Sequence, residues 1–572
     1  MTVAQETTQS VATLAGEATP AASTTAATKK LHGRAFYESI GSPKFIVAPM
    51  VNQSEFVSAP RLDPKWLAIA WRMLSRSFLS ADEKSKMLAY TPMFHARLFS
   101  QDPKYLKAHF QATRPGATGD SDSPDSSLWL DGNPSGDRPL FVQFCANDPA
   151  HLLAAARQVA PYCDAVDLNL GCPQGIARKG HYGAFLQEDQ DLVFRLIHTL
   201  HTELSIPVTA KIRILETKEQ TLAYARTVLR AGASILTVHG RRREQKGHLT
   251  GVADWQMLRF LRESLPPETV LFANGNVLQH GDVEACLAAT GFDGVMSAEG
   301  NLSNPGVFAK PPAVGEEGRE YWRGKDGKGG WRVDAVMRRY LDIIHKYALD
   351  AEPPARRPLF VPGDGTAWLT AEEEEPDEGD ERGQKRRKTT AATAAKATDS
   401  ELGGAAAAKR HDPSSSPNIV AMQPHLFHLL RHFVTKHTDV RDMLARTRKT
   451  GMAGFEAVLD AVERRVAEGL LEYERTNGGS FEEEVRLAAE RPRETADGGE
   501  SSMEALLRCK RPWWVVQPIV RPLPSEALAK GSIRPSKKEL KDKARGEEEE
   551  EKKKKKGVEL EQVVQQNEAI EA

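Results

Sequence analysis

The segment Asp167-Leu-Asn-Leu-Gly-Cys-Pro-Gln174 ends an alternating apolar run with an amide, Asn169, and a thiol, Cys172, set between Gly171 and Pro173. Such a run reads as a buried strand that delivers its last polar side chains to a loop. A single cysteine after a strand is most often a buried, inert thiol. Here the cationic Arg178, Lys179 and His181 follow closely, and cations beside a loop thiol favour its exposure and use. Cys172 is therefore the first candidate for a reacting group.

Other polar residues stand at equivalent points of other apolar runs. Pro49 and Met50 close one run, Gln143 and Lys211 lie within two more, and His239 ends another. Asn274-Gly275-Asn276 and Ala298-Glu299-Gly300 follow the last two as Gly-containing turns. Taken singly, a strand Lys is usually a snorkelling edge residue, a lone His a hydrogen-bonded core residue, and a Gly-Asn turn ordinary loop chemistry. Together they differ, because Gln, Asn, Cys, Lys and His converging on one place leave many buried polar groups unpaired unless a polar ligand satisfies them. The isoalloxazine edge of a flavin is such a ligand. Gln143 would hydrogen-bond its pyrimidine portion, and Lys211 would set positive charge near N1/O2.

Gathering these side chains requires parallel strands that all end on one side. Apolar runs over 45–50, 88–95, 140–145, 165–170, 208–214, 235–239, 270–273 and 294–298 alternate with helical segments such as 66–76, 150–160, 191–204, 218–231 and 282–289. This alternation predicts an α/β fold, a (β/α)8 TIM barrel whose strand C-terminal ends carry the site. A doubly wound sheet is disfavoured, because no GxGxxG follows the first strand. Loops after the last two barrel strands commonly bind phosphate through backbone N–H groups, so a phosphate-bearing cofactor is expected at 274–276 and 298–300.

Beyond the barrel, Val336, Tyr340, Ile343, Ile344 and Tyr347 share one helical face, as do Leu426, Leu429, Leu430, Phe433 and Val434. Phe455, Val458, Leu459 and Val462 begin a third helix. A smaller all-helical domain over 330–350 and 419–475 is expected after a barrel over 41–315. Residues 1–40, the 353–418 insertion and most of 476–572 are expected to be disordered, with an apolar docking patch at 512–524. The Gly/Ser/Pro/Asp-rich 113–138 reads as a mobile surface loop, and 61–63 lengthens the first βα connection.

Composition limits the alternatives. The 572 residues exceed one ordinary core, and 77 basic against 78 acidic residues nearly cancel. The acidic 372–375 and 547–551 and the basic 385–388 and 552–556 form blocks that read as solvated. Five cysteines without CxxC spacing argue against a zinc module or a disulfide framework and for a reducing compartment. No apolar run approaches the roughly 18–20 residues of a membrane span, so no membrane partner is expected. Residues 1–28 contain no Arg or Lys, which argues against a mitochondrial presequence. His425, His428, His432 and His437 have no carboxylate or cysteine interleaved at ligand spacing, so no metal is expected. The expectation is a monomer of the cytoplasm and/or nucleus, with 385–388 as a candidate nuclear address.

The motif series adds a resemblance. Val47-Ala-Pro-Met50, Tyr90-Thr-Pro-Met-Phe-His-Ala96, Val142-Gln-Phe-Cys-Ala-Asn-Asp148, Asp167 to Gln174, Thr209-Ala-Lys-Ile-Arg213, Val238-His-Gly-Arg241 with Gln245-Lys-Gly247, Ala273-Asn-Gly-Asn276 and Ala298-Glu-Gly-Asn301 run colinearly over 43–310. This series resembles the tRNA-dihydrouridine synthases, nearest to the eukaryotic branch acting on D-loop uridines 16 and 17. The resemblance implies reduction of a uridine C5=C6 bond in tRNA, with FMN bound and NADPH or NADH as reductant. It implies FMN contacts from Ala48, Pro49, Met50, Gln143, Lys211, His239, Asn274, Gly275, Asn276, Ala298, Glu299 and Gly300, with Cys172 as proton donor. Asn169, Arg178, Lys179 and Arg241 are expected to meet the substrate. Arg431, Lys436, Arg441, Arg446, Arg448 and Lys449 would offer a second basic surface, against the plainer reading of a solvated helix face. The chain departs from many relatives in having Asn52 where they carry Asp, and Glu299-Gly300 where bacterial members have Gly-Arg. Two rival classes remain at this point: a small-molecule FMN oxidoreductase of the dihydroorotate or dihydropyrimidine type, and a catalytically silent RNA-binding protein.

Overall fold

The computed structural model of the chain describes residues 30–50, 69–114, 128–370, 417–489 and 502–520. Strands β1 (Phe45–Val47), β2 (Leu88–Tyr90), β3 (Phe94–His95), β4 (Leu140–Cys145), β5 (Ala165–Leu170), β6 (Val208–Arg213), β7 (Ile235–His239), β8 (Val270–Asn274) and β9 (Gly294–Ser297) form one parallel sheet. It closes on itself, because β1 pairs with both β2 and β9 while β2 and β3 both pair with β4. The fold is a TIM barrel. The continuous strand expected over 88–95 is two pieces, β2 and β3. Pro92 has no N–H to give to a ladder, and the pairing with β4 is interrupted there.

Each strand alternates between two environments. Outward residues such as Val47, Val142, Val166, Leu168, Leu236, Leu271 and Val295 pack in a core with the surrounding helices. The inward Ile46, Leu88, Phe141, Ala165, Ile235, Val270, Phe272 and Met296 fill the floor of the barrel. The helix Gly33–Ser39 closes this floor with buried Phe36 and Tyr37, the Phe36 ring stacking on Phe141 at 5.8 Å. That helix corrects the expectation of disorder over 1–40. It is too short to show a helical period, and it is held by burial of its two aromatics and by the Arg34–Asp293 ion pair at 2.6 Å.

A second core joins the barrel helix Ile69–Ser77, through Ala70, Trp71 and Leu74, to the helices Val333–Ile343, Pro417–Leu429 and Arg431–Lys436 and to the helical stretch Thr438–Arg475, which is broken into two helices at Gly451 (φ +61°). Trp71 packs 4.8 Å from the His425 ring and donates to Asn301 at 2.9 Å, so the helical unit is seated on the barrel. His425 in turn meets the Tyr340 hydroxyl at 2.8 Å. An antiparallel hairpin of β10 (Tyr321–Arg323) and β11 (Gly329–Trp331) precedes the helical unit and packs at its edge. The cations from Arg431 onward lie on two helices that meet at His437, not on one.

The expectation of a mobile loop over 113–138 and two further expectations of disorder are corrected for the described residues. Within 113–138, residues 128–138 carry Asp131 and Asp137, which grip the buried Arg72 at 2.8 and 2.6 Å; acidic residues that read as solvated are inside because a distant arginine neutralises them. Residues 115–127 lie outside the described residues. Within 353–418, residues 353–370 fold onto the helical unit, with Arg356 paired to Glu456 at 2.9 Å, Arg357 paired to Asp460, and Phe360 buried. Residues 371–416 lie outside the description. Within 476–572, the helices Gly479–Ala489 and Ser502–Cys509 form, and in the patch expected to dock Trp513, Trp514, Val515 and Val516 are buried, Trp514 against Trp322 of the hairpin and Trp513 against Phe433 and His437 of the helices. There the Val333 N–H donates to the Trp514 carbonyl and the Val516 N–H to that of Trp331, each at 2.9 Å. Residues 521–572 lie outside the description. Among the described residues, no helix is long and apolar enough to cross a membrane.

Candidate active site at the barrel mouth

Two residues beyond the apolar floor, the same inward register turns polar. β4 presents Gln143, β5 Asp167 and Asn169, β6 Lys211 and Arg213, β7 His239 and β8 Asn274. All but His239 are buried, and His239 is half-buried. In parallel strands every C-terminus points the same way, so these groups gather at one mouth.

Their hydrogen bonds form two sets. On one side Asp167 accepts from Gln143 Nε2 at 2.8 Å and from Thr209 Oγ1 at 2.7 Å. Gln143 Oε1 accepts from Asn169 Nδ2 at 2.7 Å, and Asn169 Oδ1 accepts from the backbone N–H groups of Gly171 and Cys172 at 3.1 and 2.9 Å. On the other side Lys211 Nζ donates to Asn274 Oδ1 at 3.0 Å, and Asn274 Nδ2 to the Met296 carbonyl at 2.9 Å. Arg241 spans the rim, with Nη2 2.7 Å from Asn276 Oδ1 and Nη1 3.1 Å from His239 Nε2. It also donates to the Gly251 carbonyl at 2.9 Å.

Burial sets the protonation states. Lys211 is pulled from 10.5 to about 7, chiefly by burial and then by Arg213, with Asp167 opposing. Burial and the charges of Arg213, Lys211 and Arg241 hold His239 well below its ordinary value, so the imidazole is neutral at pH 7. Its Nε2 accepts from Arg241, which leaves the proton on Nδ1 as a donor. Asp167 is raised by burial to about 6. The Cys172 thiol is pushed up by burial against the pull of the Gln174 backbone and of Arg213, Lys211 and Lys246, so it keeps its proton at neutral pH.

The thiol loop is clamped from three sides. Arg213 Nε donates to the Gly171 carbonyl at 2.7 Å, Lys246 Nζ to the Pro173 carbonyl at 2.8 Å, and the Ala184 N–H to the Cys172 carbonyl at 3.1 Å. Gly183 has φ +67°, and a Cβ there would stand 2.8 Å from the Cys172 carbonyl oxygen. Only glycine lets the chain close over the cysteine. Gly275, with φ +118°, is constrained likewise, since a Cβ would meet that of Ala253 at 2.6 Å. This keeps the turn after β8 low against the mouth.

Gln143, Asn169, Cys172, Lys211, His239, Asn274, Asn276 and Arg241 thus come together. Pro49 and Met50 are half-buried at the end of β1, and Met50 touches both the barrel floor cluster and the helical-unit cluster. Ala48 donates its N–H to the Ser297 carbonyl at 3.1 Å, which ties the first strand to the turn bearing Ala298, Glu299 and Gly300. Arg178 and Lys179 stand apart, exposed on the helix Gly175–Lys179 just after the thiol loop. Sequence reasoning misses Asp167, Thr209, Arg213 and Gly183 as site residues. For the first three the signal is present, because each lies two residues from a chosen inward residue on the same strand. The approach of Gly183 to Cys172 depends on the fold of the loop.

The arrangement can hold a planar, carbonyl-rich, anionic ligand against Lys211 and the amides, with a protonated thiol beside it. Residues 58–323 match the family model described as Dihydrouridine synthase (Dus). Over 498 residues, 87% of this chain and 92% of the relative, the sequence is 38% identical to the NAD(P)(+) tRNA-dihydrouridine(16/17) synthase of Schizosaccharomyces pombe. It is 50% identical over 316 residues, 55% of this chain and 64% of the relative, to the Saccharomyces cerevisiae protein of the same name. A Mus musculus protein named as tRNA-dihydrouridine(16/17) synthase-like is 45% identical over 294 residues, 51% of this chain and 54% of that one. The chain belongs to the dihydrouridine synthase family.

Proposed function

We propose that this chain reduces the C5=C6 bond of D-loop uridines 16/17 in tRNA, with FMN as prosthetic group and NADPH or NADH as electron donor. One observation carries the reading: a thiol kept protonated by burial stands at a barrel mouth where Gln143, Lys211, His239 and Asn274 converge. The names of the relatives point to the same substrate.

The donor set fits a flavin. Lys211, buried and lowered to about 7, donates to an amide and not to a carboxylate, so an anionic ring edge restores its proton. The ammonium with the amides of Gln143 and Asn274 would hold that edge. Ala48, Pro49 and Met50 would flank it, and the turns Gly275-Asn276 and Ala298-Glu299-Gly300 would take the phosphate. When bound, the flavin supplies hydride to C6. Cys172 supplies the proton to C5, and a thiol whose pKa is raised is in the right state to do so. Neutral His239 presents its Nδ1–H to the site without adding charge.

The uridine must leave its stack to reach the thiol, and the RNA backbone must be held while it does. Arg178 and Lys179 are exposed beside the thiol loop for that task, and Arg241 is fixed at the rim. Arg431, Lys436, Arg441, Arg446 and Arg448 are exposed on the helical unit and offer a second surface. The protein acts as a monomer in the cytoplasm and/or nucleus. The candidate nuclear address at 385–388 lies outside the described residues. The test is to incubate purified holoenzyme with unmodified tRNA and NADPH and to map dihydrouridine by mass spectrometry. Product at 16/17 that is absent with Cys172→Ala supports the reading. Turnover of a free dihydropyrimidine without any tRNA product overturns it.

A further inference from the structure

We infer that Asp167 and Thr209 are positioning residues whose hydrogen-bond polarity fixes which way the amides of Gln143 and Asn169 face, and hence where the Cys172 loop sits. The inference rests on the reduction proposed above, but two of its readouts need no turnover.

Two amides face one another in the mouth, and an amide can offer oxygen or nitrogen to a neighbour with almost no change of shape. The end of the chain decides. A carboxylate only accepts, and Asp167 is fully buried with one oxygen on Gln143 Nε2 and the other on Thr209 Oγ1. Gln143 must therefore turn its NH2 to Asp167, which leaves Oε1 for Asn169 Nδ2. Asn169 must in turn aim Oδ1 at the loop, where two backbone N–H groups wait. Reversing either amide would set donor against donor in a buried place. Gln143 keeps one N–H and acceptor capacity beyond these bonds, so a ligand meets it with its orientation already chosen.

Thr209 makes the arrangement robust. Burial raises Asp167 to about 6 against the pull of Thr209, Gln143 and Lys211, and Tyr90 is the other ionisable group facing it. When the carboxyl takes up a proton on the oxygen facing Thr209, that hydroxyl can turn and accept, and the other oxygen still accepts from Gln143. Polarity survives protonation, whereas charge toward Lys211 does not. An Asn at 167 would do the same, with NH2 toward Thr209 and oxygen toward Gln143.

The experiment uses Asp167→Asn, Thr209→Val, the double variant and Asp167→Ala. FMN affinity of the apoprotein is titrated by fluorescence, and iodoacetamide labelling of Cys172 is followed by peptide mass. Reduction of the holoenzyme by NADPH is compared with its reoxidation by tRNA. Each conservative single variant is expected within about threefold of wild type, whereas the double, in which the Asn NH2 has no acceptor at 209 and is free to turn on Gln143, loses FMN affinity by on the order of tenfold beyond the product of the singles. Its Cys172 labelling rate shifts, and tRNA-driven reoxidation falls more than NADPH-driven reduction. Asp167→Ala behaves like the double. If Asp167→Asn alone is as damaging as the double, charge and not polarity is at work and the inference is overturned. Additive, near-wild-type behaviour of the double overturns it equally. Should Asp167→Ala fail to fold, the three conservative variants decide. Should wild type not reduce tRNA at all, the proposed function fails, while FMN affinity and thiol labelling still judge this one.

Discussion

The two ends of the barrel are made by the same strands, and they differ only in how far along each strand one reads. β4 gives Phe141 to the floor and Gln143, two residues later, to the mouth; β5 gives Ala165, then Asp167 and Asn169; β8 gives Val270 and Phe272, then Asn274. The floor is apolar and shut by Phe36 and Tyr37. Its residues need only size and shape, and their burial stabilises the fold. The mouth is polar, and its residues need direction. Burial pushes Lys211 to about 7 and Arg213 to about 10, so the mouth works against folding where the floor works for it. Groups held at such a cost are placed for a ligand.

That division can be broken at either end. Cys172→Ala should slow tRNA-driven reoxidation of the reduced enzyme by about two to four orders of magnitude, the usual contribution of a positioned acid, with FMN affinity unchanged. Stopped-flow absorbance reads it, and an unaltered rate removes Cys172 from the chemistry. Phe141→Ala, at a fully buried floor position, should cost about 3–5 kcal/mol in denaturant unfolding and leave FMN affinity of the folded protein as in wild type. A floor variant that stays folded but loses FMN would mean that the two ends are not separable.

Most of the barrel can be read from the sequence because its signals are local: apolar runs of strand length, helices between them, and polar residues where each run stops. Gln143, Lys211, His239 and Asn274 follow from that rule. What cannot be read depends on a partner far along the chain. Arg72 makes Asp131 and Asp137 core residues, and Glu456 holds Arg356 half-buried, yet each looks like a solvated charge in its own surroundings. Arg178 and Arg241 look equivalent in sequence. One is exposed on a helix, and the other is fixed by Asn276, Gly251 and His239. Asp167 escapes notice for the opposite reason. Its motif draws attention to Asn169 and Cys172, although its inward register is visible.

Lys211→Met sharpens the comparison through pH. The folded-state pKa of about 7 lies below the 10.5 of a free lysine. Below about 7 both folded and unfolded states are protonated, and the burial penalty is fully present. Between about 7 and 10.5 the unfolded chain binds more protons, so this group makes stability rise with pH, by up to about 1.4 kcal/mol per unit. The apoprotein of Lys211→Met should therefore be more stable than wild type at pH 7, with the gap closing toward pH 10, and should bind FMN more weakly. Urea unfolding at several pH values checks this; parallel curves would mean that burying Lys211 does not destabilise the fold.

The smallest effect is expected on the helical unit, which belongs to neither end of the barrel. Arg441, Arg446 and Arg448 are exposed there, with Lys449 beside them in sequence. Neutralising all four should raise the tRNA Kd and flatten the plot of log affinity against log salt by about 0.7–0.9 for each phosphate no longer neutralised. NADPH-driven reduction should not change, because that step needs only the mouth. Arg441 is already paired with Asp442 at 3.0 Å, so Arg446 and Arg448 should carry more of the slope than Arg441 does. A slope equal to that of wild type would move RNA recognition to Arg178 and Lys179, exposed on the helix that follows the thiol loop.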